Sequence, residues 1–401
     1  RYNVSNYRLK EVFRSALQAV PSRGERVTLM ARSQKEIENL RQSSTFYCPV
    51  CHQAVFIKAG SHVTPHFAHY QTTECPTTGK GEGPYHEKGK IKLYHWLKKQ
   101  GLHVELEKYL TNIQQQPDLF VTIQKKRIAI EFQCAKVSAQ ELLDRQLGYE
   151  RDGITSIWIL GANRFTRTGP HTIKIDTFIQ QLIHQFSSQY PTQIYFFCPH
   201  QEQFAIFQDI YFPNRQKAIG NLSFIPLQKC HLLSLFHRRR LSLPVLKRIW
   251  LQEMRHFRLK HRNFFRGQQR EWLMSMYEQQ LTIDHLPSIT YLPLINEIMM
   301  KRPAWEWQST LFVKLLTPLS IGQIFKLQDC YDCLKALSYP KNHFPLIRGL
   351  NHPVQNYLKQ LARLKIVEQR SPTRYQKILH VKRNEHIESS LEKDLQIMNK
   401  L

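Results

Sequence analysis

Two groups of side chains in this 401-residue sequence have types and spacing suited to chemistry. The first is acidic. Asp118 follows Pro117, and about a dozen residues later comes Glu131-Phe132-Gln133. Two carboxylates brought together can hold Mg²⁺, a hard cation that prefers oxygen donors and keeps several waters. Such an ion neutralises a phosphate and acidifies a water, which phosphodiester hydrolysis requires. Asp118 and Glu131 are the candidate ligands, with the Phe132 carbonyl as a third. Glu82 is a candidate for helping to place metal or water, and His86 for carrying a proton or touching phosphate. Gln133 can orient an attacking water. Each has a plainer reading. Asp after Pro is a common turn former, Glu131 can pair with Arg145, and His86 can be a solvent-facing helix residue.

The second group is soft. Cys48-Pro49-Val50-Cys51 is followed after fourteen residues by His66-Phe67-Ala68-His69. Two thiolates and two imidazoles complete a tetrahedral Zn²⁺ site. Such a site stabilises a segment of roughly 60 residues that struggles to build a core of its own. Cys75 competes as the fourth ligand, and His52 and His62 are outside candidates. With all four positions filled by protein the zinc is structural, and no recognition-helix pattern separates the pairs. The plainer reading is a free cysteine pair with surface histidines.

Both groups need elements to position them. Apolar Ile91, Leu93, Tyr94 and Leu97 predict an amphipathic helix over 85–99, stopped by Gly101. A strand is expected near 104–110. Residues 118–123 and 127–134 then read as a hairpin turning at 124–126. In the second strand Ile128, Ile130 and Phe132 share one face, and Ala129, Glu131 and Gln133 the other. Ser138 and Glu141 form a capping-box pattern that opens a helix to about Arg151. A strand over 155–160 follows. The expected order is helix, three strands, helix, strand, with Asp118 and Glu131 on adjacent strands.

The charge is a separate clue. There are 57 Lys and Arg against 31 Asp and Glu, a formal charge of +26. Such a surplus points to nucleic acid or an acidic membrane face. A hydrophobic content of 42% excludes a disordered basic tail. No apolar run reaches the ~18 residues of a membrane span, and the opening RYNVSNYRLK has no secretory h-region. The start lacks Met, so residues 1–14 are expected to be extra sequence. The CxxC spacings suggest a reducing, cytoplasmic setting rather than a disulfide framework. The paired Cys330 and Cys333, in an expected helix, and Cys198 with His200 read as ordinary thiols.

Between 238 and 270 the cations are concentrated: Arg238, Arg239, Arg240, Lys247, Arg248, Arg255, Arg258, Lys260, Arg262, Arg266 and Arg270, offset by Glu253. Cations that track phosphates, with aromatics that stack on bases, suit a single strand. The aromatics Trp250, Phe257, Phe264, Phe265 and Trp272 have a second reading. The heptad-like spacing of Trp250, Phe257 and Phe264 suits a helix core. The cations are assigned to DNA, because few acidic residues lie near them.

The acidic pattern resembles the PD-(D/E)XK nuclease signature in its E-x-Q variant, with Gln133 where many such enzymes keep Lys. The wider pattern goes further. It comprises CPxC…HFAH, a helix with His86 and Lys90, the PD pair, the IAIEFQC strand, DRQLGYERDG with Arg145 and Tyr149, and SIWILG. Together these resemble the competence protein CoiA family of transformable Gram-positive bacteria, closely over 15–165. That resemblance implies a cytoplasmic protein acting when incoming single-stranded DNA is recombined into the chromosome, with a nuclease domain. It implies metal ligation by Asp118 and Glu131, with Gln133, His86 and Lys90 in support. The chain departs from the family pattern at Gln116, Ala135 and Glu82-Gly83, where a cation, a Ser and Glu-Ser are usual.

The expected architecture is multidomain α+β. Extra sequence at 1–14 precedes a small zinc-binding-like β module at 15–78. A restriction-endonuclease-like α/β nuclease core follows at 79–165, then a basic, mainly α-helical region at 166–401. The expected function is Mg²⁺-dependent processing of incoming DNA, in company with recombination proteins and without membrane insertion. The alternatives are a non-catalytic DNA-binding or recombination accessory protein, and a zinc-finger regulator.

Overall fold

A computed structural model describes residues 15–16, 18–22, 27–29, 32–60, 63–70, 75, 83–260, 265–349 and 352–401. The expected extra sequence at 1–14 lies outside the described residues, as do Glu82, His62, Arg262 and Phe264.

The N-terminal module is an antiparallel sheet with one helix. Its strands are β1 (Ser15–Ala16), β2 (Gln18–Pro21), β3 (Val27–Thr28), β4 (Phe46–Tyr47), β5 (Ala54–Gly60) and β6 (Val63–His69). They lie in the order β1-β6-β5-β4-β2-β3. Helix α1 (Gln34–Ser43) opens with a true capping box between Ser33 and Glu36. The core is small: Ala19, Leu29, Ile37, Phe46, Val55, Ile57 and Phe67, with Cys48 and Cys75 at its edge.

The central layer is a nine-stranded sheet. Helix α2 (Pro84–Lys99) precedes β7 (His103–Leu106), β8 (Leu119–Ile123) and β9 (Lys126–Gln133). Then come α3 (Ala139–Arg151) and β10 (Thr155–Gly161). This is the expected order of helix, three strands, helix, strand. β7, β8 and β9 pair antiparallel, and α3 returns the chain so that β10 runs parallel to β9. Ser138 caps α3 by accepting from the Glu141 N–H at 3.1 Å.

The sheet does not stop there, and this corrects the boundary at 165. β11 (Arg167–Gly169), β12 (Thr172–Lys174), helix α4 (Thr177–Gln181), β13 (Gln193–Cys198), β14 (Gln203–Asn214) and β15 (Lys217–Pro226) extend it. The strand order is β11-β12-β15-β14-β13-β10-β9-β8-β7. The stretch 166–226 is thus mostly strand, not helix. Its pattern was hard to read for two reasons. β13 and much of β14 are buried on both faces, which removes the alternation. Asp209, at φ 58°, lies where the β14–β15 register shifts between Gln208 and Tyr211.

One face of the sheet buries Leu93, Trp96 and Leu97 of α2 against Val104, Ile130, Phe132 and Phe197. The other buries Leu142 of α3 and Phe178 and Ile179 of α4 against Trp158, Ile194 and Phe207. At Gly89 a Cβ would sit 1.9 Å from Phe132 Cε1, so glycine lets α2 lie directly on β9.

From 243 onward the chain is mainly helical, as expected. α5 (Leu243–Leu259), α6 (Gln268–Glu278), α7 (Ala304–Leu311), α8 (Leu327–Leu334), α9 (Pro353–Arg363) and α10 (Ile387–Lys400) are joined by β16 (Ile324–Lys326), β17 (Val367–Ser371) and β18 (Arg374–Lys377). Trp250, Phe257, Phe265 and Trp272 are buried, and Trp272 and Phe257 pack on Trp305 at 4.6 and 4.9 Å. These aromatics form a core rather than a stacking platform for bases. Cys330 and Cys333 lie in α8, as expected.

Candidate functional site

The acidic site is built where α2 crosses β8 and β9. Leu119 pairs with Ile130, so Asp118 and Glu131 are the next opposed positions along the two strands. Asp118 stands one residue before β8, and its Oδ2 accepts the Phe132 N–H at 2.7 Å. That bond holds the carboxylate against β9. From α2, His86 Nε2 lies 3.4 Å and Lys90 Nζ 3.7 Å from the Asp118 carboxylate. The His86 ring stacks on Phe132 with centroids 5.5 Å apart. His86 is therefore turned into the site rather than out to solvent. Its spacing to Lys90, i to i+4, puts both on one helix face.

Lys90 is fully buried and also bonds Glu107 Oε1 at 2.5 Å. Glu107 follows β7 with φ 47°, its N–H bonded to the Asp118 carbonyl and its own carbonyl to Gln116 Nε2. The sequence reading missed Glu107. The expected strand ran through it to 110, whereas the chain leaves the sheet after Leu106. A charged residue ending the run His103–Leu106 was the available signal.

Glu131 is buried and held from α3. Arg145 Nη2 and the Tyr149 hydroxyl both donate to its Oε1. The ion pair with Arg145, the plainer reading of Glu131, is thus present. Burial pushes the Glu131 carboxyl up, and the negative charge of Asp118 adds to this against the pull of Arg145. Burial also acts to raise Asp118, but Lys90 and His86 outweigh it and hold that carboxyl below the usual range. Gln133 is half-buried at the end of β9, its amide donating to the Ala135 carbonyl at 2.7 Å. The structure thus gathers Asp118, Glu131, His86 and Lys90, with Gln133 at the strand end.

The soft site is a cluster of Cys48, Cys51, His69 and Cys75, whose donor atoms all lie within 4.8 Å of one another. Cys48 Sγ is 3.9 Å from Cys75 Sγ, and Cys51 Sγ is 3.4 Å from His69 Nε2. Zinc–sulfur and zinc–nitrogen bonds of ~2.3 and ~2.1 Å at tetrahedral angles require edges of about 3.6–3.8 Å. The cluster can therefore bind a metal such as zinc. The turn that presents the cysteines is closed by Cys48 N–H to Gln53 O and His52 N–H to Cys48 O, with exposed His52 at φ 57°. Burial pushes the Cys48 thiol up to about 12, so without metal it is a neutral thiol.

His66 is not in this cluster, which corrects the predicted ligand set, and Cys75 takes the place. The reason is strand geometry. His66 and His69 are three apart on β6, so they point to opposite faces. Between Cys51 and His69 the described residues are strand and turn, with no helix to read bases.

The cation run divides. Arg238, Arg239, Arg240, Arg248, Arg255, Arg266 and Arg270 are exposed. Arg240 lies 3.7 Å from Asp209, and Arg238 covers the Tyr190 ring at 4.9 Å. Lys247 and Lys260 are half-buried, the first on the Asn399 carbonyl and the second over Phe265. Arg258 is a correction. It is buried and makes a two-point bond to Asp394 of α10 at 2.6 and 2.7 Å. Its acidic partner lies 136 residues away, beyond any local count of charges.

A helix-flanked sheet with paired carboxylates on adjacent strands, and cations brought in from both flanking helices, defines a nuclease-like α/β domain. Residues 82–240 match the profile described as competence protein CoiA, nuclease-like domain. Residues 29–78 match its N-terminal domain and 246–391 its C-terminal domain. The nuclease-like match runs through 240, in keeping with the continuous sheet. A curated relative, competence protein CoiA of Bacillus subtilis (strain 168), is 29% identical over 270 residues, 67% of this chain and 71% of the relative. No solved structure matched. The chain belongs to the competence protein CoiA family. No helix among the described residues is long and apolar enough to cross a membrane.

Proposed function

We propose that the chain is a Mg²⁺-dependent nuclease acting on incoming DNA during natural transformation and promoting its recombination. The observation that carries this reading is the opposition of Asp118 and Glu131 across β8 and β9, with Lys90 entering from α2. The donor set is all oxygen, which suits Mg²⁺. When bound, the ion would supply phosphate neutralisation and an acidified water. The residues supply the rest. Lys90 and His86 keep Asp118 ionised, while Arg145 and Tyr149 fix the rotamer of Glu131. The Gln133 oxygen can accept from the attacking water. Gln cannot supply the positive charge of the usual Lys, and Lys90 supplies it from the helix instead. The exposed arginines near 238–270 serve as phosphate contacts. We place the protein in the cytoplasm, where its eight free thiols stay reduced.

The test is divalent-dependent cleavage of single-stranded, duplex and branched DNA. The reading expects cleavage by wild type to fall at least ~100-fold in Asp118→Ala/Glu131→Ala. Equal activity in both, or none on any substrate, sinks the assigned chemistry. One observation favours a second reading, a non-catalytic DNA-binding or recombination accessory protein. Glu131 is engaged by Arg145 and Tyr149, as a purely structural ion pair would be. That reading expects the double variant to support transformation as wild type does.

A further inference from the structure

The C-terminal region contains a second arrangement with a recognisable use. From α7 the chain runs through β16, α8, α9, β17 and β18, so the order is helix, strand, helix, helix, two strands. The three strands form one antiparallel sheet in the order β16-β18-β17. The first strand pairs with the last, and the last two form a hairpin that turns at Pro372-Thr373. This is the topology of a winged helix-turn-helix, with α9 in the position of the groove-entering helix and β17–β18 as the wing. The connection between α8 and α9, 335–352, is longer than a simple turn.

The packing agrees with that assignment. Val354, Tyr357, Leu358 and Leu361 of α9 bury against Trp307, Leu311, Phe325, Leu327, Cys330, Leu334 and Tyr375. The Tyr357 hydroxyl donates to the Ile289 carbonyl at 3.0 Å. One face of α9 is thereby locked. The opposite face carries Gln355, Asn356, Lys359 and Arg363, and α9 has no acidic residue. Lys359 and Arg363 are exposed, as are Lys365 just beyond the helix and Arg374 on the wing. Arg370, also on the wing, pairs with Glu368, the acid in 353–377.

We infer that α9 and the β17–β18 wing form a duplex-DNA-binding surface separate from the carboxylate site. An α-helix fits the major groove of B-DNA, and Arg, Asn, Gln and Lys are the side chains that bond to base edges there. Eleven residues span ~16 Å, enough to follow several base pairs. Arg374 at the wing tip would then meet the adjacent phosphates. The same topology can bind protein instead, but an acid-free helix face on a chain of charge +26 complements a polyanion. The inference rests on the reading that the chain acts on DNA. It adds a duplex contact, suited to the recipient chromosome, to a site for the incoming strand.

The experiment uses the full chain and a short fluorescein-labelled duplex alongside its single strand, read by fluorescence anisotropy. The variant Lys359→Glu/Arg363→Glu/Arg374→Glu is expected to bind duplex about tenfold or more weakly and to show a shallower salt dependence. Single-strand binding and divalent-dependent cleavage of single strands should stay within about twofold of wild type. Lys359→Arg/Arg363→Lys keeps the charge and should bind duplex within about twofold of wild type, which separates contact from misfolding. Unchanged duplex binding in the reversal variant, or equal loss on both probes, overturns the inference. Absent cleavage with α9-dependent duplex binding overturns only the nuclease reading. Normal cleavage with α9-independent binding overturns only this one.

Discussion

The two candidate metal sites differ in what neutralises their ligands. In the central sheet the carboxylates are already balanced by the chain. Lys90 and His86 face Asp118, and Arg145 and Tyr149 face Glu131. Large cores cover both sides of that sheet. In the N-terminal module the thiols of Cys48, Cys51 and Cys75 have His69 beside them, over a core of a few side chains. Burial leaves Cys48 neutral unless a metal takes its proton's place. A metal bound there contributes to folding itself, whereas an ion at the carboxylates would find a site already formed. The central sheet is therefore expected to stand without an ion, and the N-terminal module to depend on a bound metal.

The largest effect tests this directly. Cys75→Ser should release zinc and unfold the N-terminal module. Structural zinc contributes on the order of 10 kcal/mol in small domains. Metal content by atomic absorption should fall from one zinc per chain to near zero, and limited proteolysis should cut within 15–75 while sparing the sheet. His66→Ala should retain its zinc, because His66 faces away from the cluster. A zinc-free Cys75→Ser protein with an intact module would erase the contrast between the two sites.

A smaller effect sharpens the other half. Lys90→Met removes the buried cation shared by Glu107 and Asp118 and leaves both half-buried carboxylates without it. Breaking a buried ion pair from one side costs about 3–5 kcal/mol. Denaturant unfolding of the central domain should show that loss with or without chelator. Asp118→Asn, which removes charge without emptying space, should cost much less. Equal losses in the two variants would mean that Lys90 is not what balances the site.

How much of this was legible in the sequence follows from whether a feature depends on local or distant partners. The order of α2, β7, β8, β9, α3 and β10 was readable, because each has its own periodicity and stop signal. Asp118 and Glu131 could be opposed from the hairpin alone. The HxxH spacing along the chain suggests that His66 joins His69 at the metal, but a strand sends residues three apart to opposite faces. Cys75 joins the cluster from beyond the end of β6, where spacing gives no direction. Arg258 looked unpaired because Asp394 arrives only when α10 packs on α5. The strands after 166 escaped because a strand buried on both faces, or broken by a bulge as at Asp209, loses the period of two. The winged arrangement was invisible at that level, since it consists of pairings between β16 and β18 rather than of any motif.

The smallest effect separates the two regions by acid. His184 is fully buried beneath the sheet, its Nε2 accepting the Trp158 N–H of β10 at 3.0 Å. Burial lowers its proton affinity, to a pKa of about 3 from the ordinary 6.5. The native protein therefore holds His184 neutral while the unfolded chain takes up a proton below pH 6.5. Stability from this group is complete above 6.5 and is lost as pH falls toward 3. Between pH 6.5 and 5.5 the loss is about 1 kcal/mol. His184→Gln should flatten that part of the profile. Acid also releases zinc from thiolates, so the measurement belongs on chelator-treated protein, followed by the unfolding of the central sheet. If the acid slope disappears on chelation, it belongs to the N-terminal module and His184 does not set it. If it persists, the sheet carries its own proton sensitivity, independent of any metal.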